Sequence, residues 1–148
     1  LYIGTKLNGV FLFENETFSW VPWWNYIYCT MTVSSIEKDN SNIVWFCFLP
    51  DTIGRSGISR WDGTTFTNIH LGTFQNKVNH IFIDDQNNKW VATSDGLLNY
   101  DNQNNSTFYN TLNSLISSNN VNATAVDSNG DVWITTYASG LNKYKPPQ

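Results

Sequence analysis

The chain repeats itself, and the period of the repeat limits what it can fold into. Val33-Ser-Ser-Ile-Glu-Lys-Asp39, Val78-Asn-His-Ile-Phe-Ile-Asp84 and Val121-Asn-Ala-Thr-Ala-Val-Asp127 align, and a tryptophan follows each Asp six residues later, at Trp45, Trp90 and Trp133. The Val, Asp and Trp positions all recur after 45 and then 43 residues. Past the Trp come Val-Ala-Thr93 and Ile-Thr-Thr136, then a glycine and an apolar residue, Gly96-Leu97 and Gly140-Leu141, closing on Tyr100 and Tyr144. Gly57 opens the same stretch of the earlier copy. The opening residues, Tyr2-Ile-Gly-Thr5 and Gly9-Val-Phe-Leu-Phe13, match this second half, so the sequence begins in mid-repeat.

Each unit reads as four short strands divided by turn signals. The first lies near 33–38, 78–83 and 121–126 and ends on an Asp/Asn turn such as Asp127-Ser-Asn-Gly130. The second carries the Trp, at 43–48, 89–93 and 132–136, and the third follows the glycine, at 57–61, 96–100 and 140–144. The fourth is an aromatic stretch, Thr65-Phe66-Thr67 or Thr107-Phe108-Tyr109. Composition agrees: 21 Asn, 15 Thr and 13 Ser among 148 residues suit turns and strands and serve helix interiors poorly. The one helical competitor, Leu112-Asn-Ser-Leu115-Ile116, is too short and too polar to persist, and reads as a connection.

Val44 to Phe48 is apolar at successive positions, the mark of a strand covered on both faces. Four-stranded units of about 44 residues, each sandwiched between two neighbours, are blades of a β-propeller. The expected fold is therefore all-β, a propeller segment of about 3.4 blades. It divides into a partial blade at 1–20 (second to fourth strands), an aromatic-rich link at 21–32, and a blade at 33–70 with an insertion near 49–56. A blade at 78–110 and a partial blade at 121–148 (first to third strands) complete it. Closed propellers have roughly 4–8 blades. The deficit is met either by a longer array from the same chain, the reading that the leucine at position 1 favours, or by an oligomeric ring.

The pattern Val-x-x-Ile-x-x-Asp, a Gly/Asn turn, Trp-apolar-x-Thr and Gly-Leu-x-x-Tyr resembles the two-component regulator propeller repeat of bacterial proteins. Residues 115–144 carry the fullest copy. The resemblance implies the extracytoplasmic, ligand-sensing part of a hybrid sensor, periplasmic or at the cell surface, with glycan fragments as a ligand class. Related repeats occur in secreted surface and secretion-associated proteins, so a propeller scaffold whose partner is another protein is the alternative, and a propeller lyase or glycosidase the second. Two departures stand out: the insertion Leu49-Pro-Asp-Thr-Ile-Gly-Arg-Ser56, and a Trp/Tyr-rich link before Val33 in place of small polar residues. The repeat motif is a packing motif and transfers no ligand site.

Charge narrows the partners. Eight Lys and Arg against twelve Asp and Glu leave a net charge of -4, with no basic stripe for phosphates, so nucleic acid is not an expected partner. No run of 18 apolar residues suggests a membrane-spanning helix. Cys29 and Cys47 lack metal-ligand spacing, and Cys47 reads as a small buried hydrophobe. The four N-x-S/T sequons, at Asn15, Asn104, Asn105 and Asn122, match the number of about four that this composition yields by chance. No cofactor, metal or catalytic residue is expected: the Asp39, Asp84 and Asp127 turns lack the twelfth-position Glu of a calcium loop, and His70 and His80 stand in no catalytic pattern.

Two residue sets differ in kind. Trp45, Trp90 and Trp133, with Asp39, Asp84, Asp127, Gly57, Gly96 and Gly140, occupy fixed repeat positions and are structural, the Trp as core. Trp20, Trp23, Trp24, Tyr26 and Tyr28 obey no repeat-wide rule. Rings that stack on a sugar's apolar face, with Asn for its hydroxyls, make them candidate ligand contacts, and Arg55 in the insertion a candidate charged one. A local hydrophobic cluster, or docking to a neighbouring domain, is the competing role for the rings.

Overall fold

The computed structural model describes residues 1–6, 8–21, 32–51, 56–69, 77–103 and 105–146. Every element is a strand. The first sheet holds β1 (Tyr2–Gly4), β2 (Val10–Glu14) and β3 (Thr17–Trp20). The second holds β4 (Val33–Lys38), β5 (Val44–Phe48), β6 (Gly57–Trp61) and β7 (Phe66–Ile69). The third holds β8 (Val78–Ile83), β9 (Lys89–Thr93), β10 (Gly96–Tyr100) and β11 (Ser106–Tyr109), and the fourth β12 (Val121–Val126), β13 (Val132–Thr136) and β14 (Gly140–Tyr144). Each sheet is an antiparallel meander in chain order, and its connections are hairpins apart from the longer link between β5 and β6.

Local chemistry sets the hairpins. Thr5, Thr93 and Thr136 each turn a side-chain hydroxyl onto the carbonyl of Gly9, Gly96 and Gly140, at 2.9, 2.8 and 3.1 Å, which ties off the Trp-strand turn. The second sheet has Phe48 at this position, where its longer connection begins. Gly96 admits no side chain, because a Cβ there would run into the Tyr109 carbonyl and the Phe108 ring.

The sheets stack face to face around three apolar seams. Val10 and Val21 meet Val44, Phe46, Phe48 and Phe66 at the first. Trp45, Cys47 and Ile58 meet Val78, Ile81, Val91 and Leu98 at the second. Trp90, Ala92 and Leu97 meet Ile116, Val121, Val132 and Ile134 at the third. Each large apolar side chain buried here contributes about 1.5–3 kcal/mol, so the seams rather than the hairpins hold the molecule together. All five residues of β5 and of β9 are buried, as strands sandwiched between two sheets must be. The fourth sheet is covered on one face, so Trp133 is half-buried rather than a core residue like Trp45 and Trp90.

A bulge in the opening strand of the second, third and fourth sheets adds polar ties across the seams. The register slips between Val33 and Ser35, Val78 and His80, and Val121 and Ala123. The extra residue faces the following sheet: Ser34 Oγ donates to the Val78 carbonyl at 2.6 Å, and Asn79 Nδ2 to the Val121 carbonyl at 2.6 Å.

Candidate functional site

The recurring Asp and Trp form one device. Asp39 Oδ1 accepts the backbone N–H groups of Ser41 and Ile43, while Oδ2 accepts Trp45 Nε1 at 2.9 Å. Asp84 repeats this with Gln86, Asn88 and Trp90 Nε1 (3.0 Å), and Asp127 with Asn129, Asp131 and Trp133 Nε1 (2.9 Å). One oxygen closes the turn and the other satisfies a largely buried indole donor, as buried polar groups require. The Trp133 indole, followed by the turn N–H groups, holds the Asp127 carboxyl below its ordinary pKa. These carboxylates are committed to the fold. Among the described residues no group of three or more His, Cys, Asp and Glu side chains is placed to hold a metal ion.

The same turns border an open cleft of about 890 Å³ between the third and fourth sheets. Asp84, Asp85, Gln86 and Asn88 approach from one side, and Asp127, Ser128, Asn129 and Gly130 from the other. Phe82, Trp90 and Tyr109 supply aromatic wall, and Lys145 lies at the margin. Tyr109 stacks on Trp90 with ring centres 6.4 Å apart, and burial, with the Tyr144 hydroxyl 3.4 Å away, pushes its phenol up to about 12. Asn99, beside them, has a buried Nδ2 with no hydrogen-bond partner. Trp20, the described member of the aromatic candidates named from the sequence, does not line this cleft. The cleft's signal in the sequence is slight: the repeat continues through it, and only the residue types at the turn positions change.

Of those candidates, Trp20 is described. It is 55% exposed, its ring 5.9 Å from Phe11, and its Nε1 donates to the Asn8 carbonyl at 3.2 Å. Register puts Trp20 opposite Phe11 as Phe108 is opposite Leu98, and in the third sheet that pair packs against the second sheet. Trp20 therefore stands at an inter-sheet position on an uncovered face, along with Phe13 and the 63% exposed Phe18. Trp23, Trp24, Tyr26, Tyr28, Arg55, Cys29 and His70 lie outside the described residues, as does most of the 21–32 link. Cys47 is a free, fully buried thiol, and burial pushes its pKa far up. His80 is half-buried, and desolvation lowers its pKa.

Antiparallel meanders of one pattern, each stacked on the next around buried Trp-bearing strands, define a β-propeller segment. Residues 115–138 match the model of the two component regulator propeller family. Solved structures agree. Across 98% of its length, at 26% identity and a TM-score of 0.81, the chain is similar to the extracellular domain of BT3049 from B. thetaiotaomicron, described as a hybrid two component system, of which it covers 19%. It is similar over 96% of its length to PorZ of Porphyromonas gingivalis, a surface component of the type-IX secretion system, at 20% identity and a TM-score of 0.70, covering 23% of that chain. A streptogramin B lyase shares the fold more distantly, at 16% identity and a TM-score of 0.55 over 78% of this chain and 41% of the other. The chain thus spans about a fifth of the length of the two larger structures. No curated protein matches it in sequence.

Proposed function

We propose that this propeller segment belongs to a non-enzymatic, extracytoplasmic recognition module that binds glycan fragments. The observation that carries the reading is the likeness of nearly the whole chain to the extracellular domain of a hybrid two component system. Trp20, Trp23, Trp24, Tyr26, Tyr28 and Arg55 are the proposed contacts, since rings and amides together suit a sugar's apolar face and its hydroxyls. Trp23→Ala with Trp24→Ala tests it on an oligosaccharide panel. Loss of binding at an unchanged melting temperature supports the reader, and retained binding overturns these contacts.

The likeness to PorZ favours a second reading, a scaffold in a surface or secretion assembly. The same double variant then loses complex formation and leaves the glycan panel blank throughout. For the lyase or glycosidase reading, incubation with a broad polysaccharide panel has to release products; an unchanged chromatogram sets it aside.

A further inference from the structure

The second and third sheets meet at a filled seam and the third and fourth at an open one, although the repeat places equivalent positions at both. At the filled seam the Asn40 backbone N–H donates to Asn87 Oδ1 at 3.1 Å, and its Nδ2 to the Asp85 carbonyl at 3.2 Å. Lys89 is 3% exposed; its ammonium lies 2.7 Å from the Asn87 carbonyl and 5.4 Å from the centre of the Trp45 ring. One repeat later, Asp85 stands in the place of Asn40, Gly130 in that of Asn87, and Val132 in that of Lys89.

Those three changes remove a side-chain amide donor, a side-chain acceptor and an ammonium, and they add a carboxylate. The cleft of about 890 Å³ lies at this seam. Among the described residues its lining includes the carboxylates of Asp84, Asp85 and Asp127 against the single cation of Lys145. Asp84 and Asp127 are already bonded to their turns and indoles, whereas Asp85 is exposed. The walls of Phe82, Trp90 and Tyr109 suit an apolar stem more than a hydrated metal ion.

We propose that this cleft binds a primary ammonium group carried by a ligand, seated against the Asp85 carboxylate and the Gly130 carbonyl in place of the lysine that fills the neighbouring seam. The inference stands apart from the glycan reading, because a neutral oligosaccharide carries no such charge.

The test titrates the protein with n-butylammonium, using n-butanol as the uncharged isostere, and reads ligand-observed saturation-transfer NMR. Saturable binding of the ammonium without comparable binding of the alcohol is expected. Asp85→Asn weakens it roughly threefold, the size of an exposed ion pair. Asp85→Asn with Gly130→Asn rebuilds the filled seam's clamp, which abolishes binding and raises the melting temperature by roughly 2–4 °C. Asn is tolerated there: Gly130 has a φ of 76° with open space around a Cβ, and Asn87 holds a φ of 66° at the equivalent position. Equal response to the alcohol, no saturable binding, or binding indifferent to Asp85→Asn overturns the proposal. Should the double variant fold poorly, the single variant still decides. Neutral glycans are titrated in parallel, so failure of one reading leaves the other intact.

Discussion

An Asp whose two oxygens serve a turn and an indole couples hairpin closure to seam packing. Removing Asp84 strands the Trp90 donor and the Gln86 and Asn88 N–H groups together, so Asp84→Ala is expected to destabilise by about 2–4 kcal/mol, while Trp90→Phe/Asp84→Ala costs less than the sum of its parts. Chemical denaturation of the four species checks this. The turn carboxylates add a pH signature. Asp62 and Asp101 are held below the ordinary value, the first by the N–H groups of Thr65 and Thr64 and the second chiefly by Asn105, and Asp127 by Trp133. Their pKa values are depressed on folding, so the unfolded chain takes up protons first. Their stabilisation is complete above about pH 5 and drains away as the pH falls below about 4. Melting curves of Asp62→Asn/Asp101→Asn/Asp127→Asn across that window should be flatter than those of the parent. The spacing of Asp39 and Trp45 was visible in the sequence as a repeat, but the bond between them was not, because a turn-closing Asp looks the same whether or not its second oxygen reaches a ring.

At the scale of the element, periodicity carried the reading well: the strands expected at 132–136 and 140–144 are β13 and β14, since Trp and Gly mark the same points in each meander. Exposure was harder to read. Trp133 and Trp20 sit at positions that are packed in the inner sheets, and only the stacking order shows that these faces are uncovered. The tight approach at Gly96 was equally hidden, since glycine there reads simply as a turn residue. Gly96→Ala is expected to lose about 1–3 kcal/mol, as the added methyl displaces β11 from β10; the denaturation midpoint reports it. Threonine closes three of the corresponding turns, and its replacement by Phe48 coincides with the one long connection.

For the whole molecule, the described residues of each sheet pack on its neighbours around three separate seams, so stability is a chain of local seams rather than one shared core. Ile134 is fully buried in the third seam, and Ile134→Ala should cost about 2–5 kcal/mol. Hydrogen exchange is expected to show β12 to β14 losing protection first, with the second sheet nearly unaffected. Cys47 reports on the second seam: a thiol this buried should resist iodoacetamide until the second and third sheets separate, which pulsed labelling with mass spectrometry measures. The open cleft belongs to this scale too. It escaped the sequence because Asp85, Gly130 and Val132 are each ordinary in their own turn or strand, and only in combination across a seam do they leave space.

The bulge residues reach from one sheet to the next. Ser34 reaches forward to Val78 and Asn79 forward to Val121, and Asn122 holds the same place in the fourth sheet. These bulge donors point forward, whereas Thr124 Oγ1 donates back from the fourth sheet to the Trp90 carbonyl at 3.3 Å and the Val33 N–H back to the Thr5 carbonyl at 3.1 Å, so the seams are tied in both directions. Asn122 is exposed and opens an Asn-Ala-Thr sequon, so a sugar chain attached there would occupy the position through which Ser34 and Asn79 tie one sheet to the next.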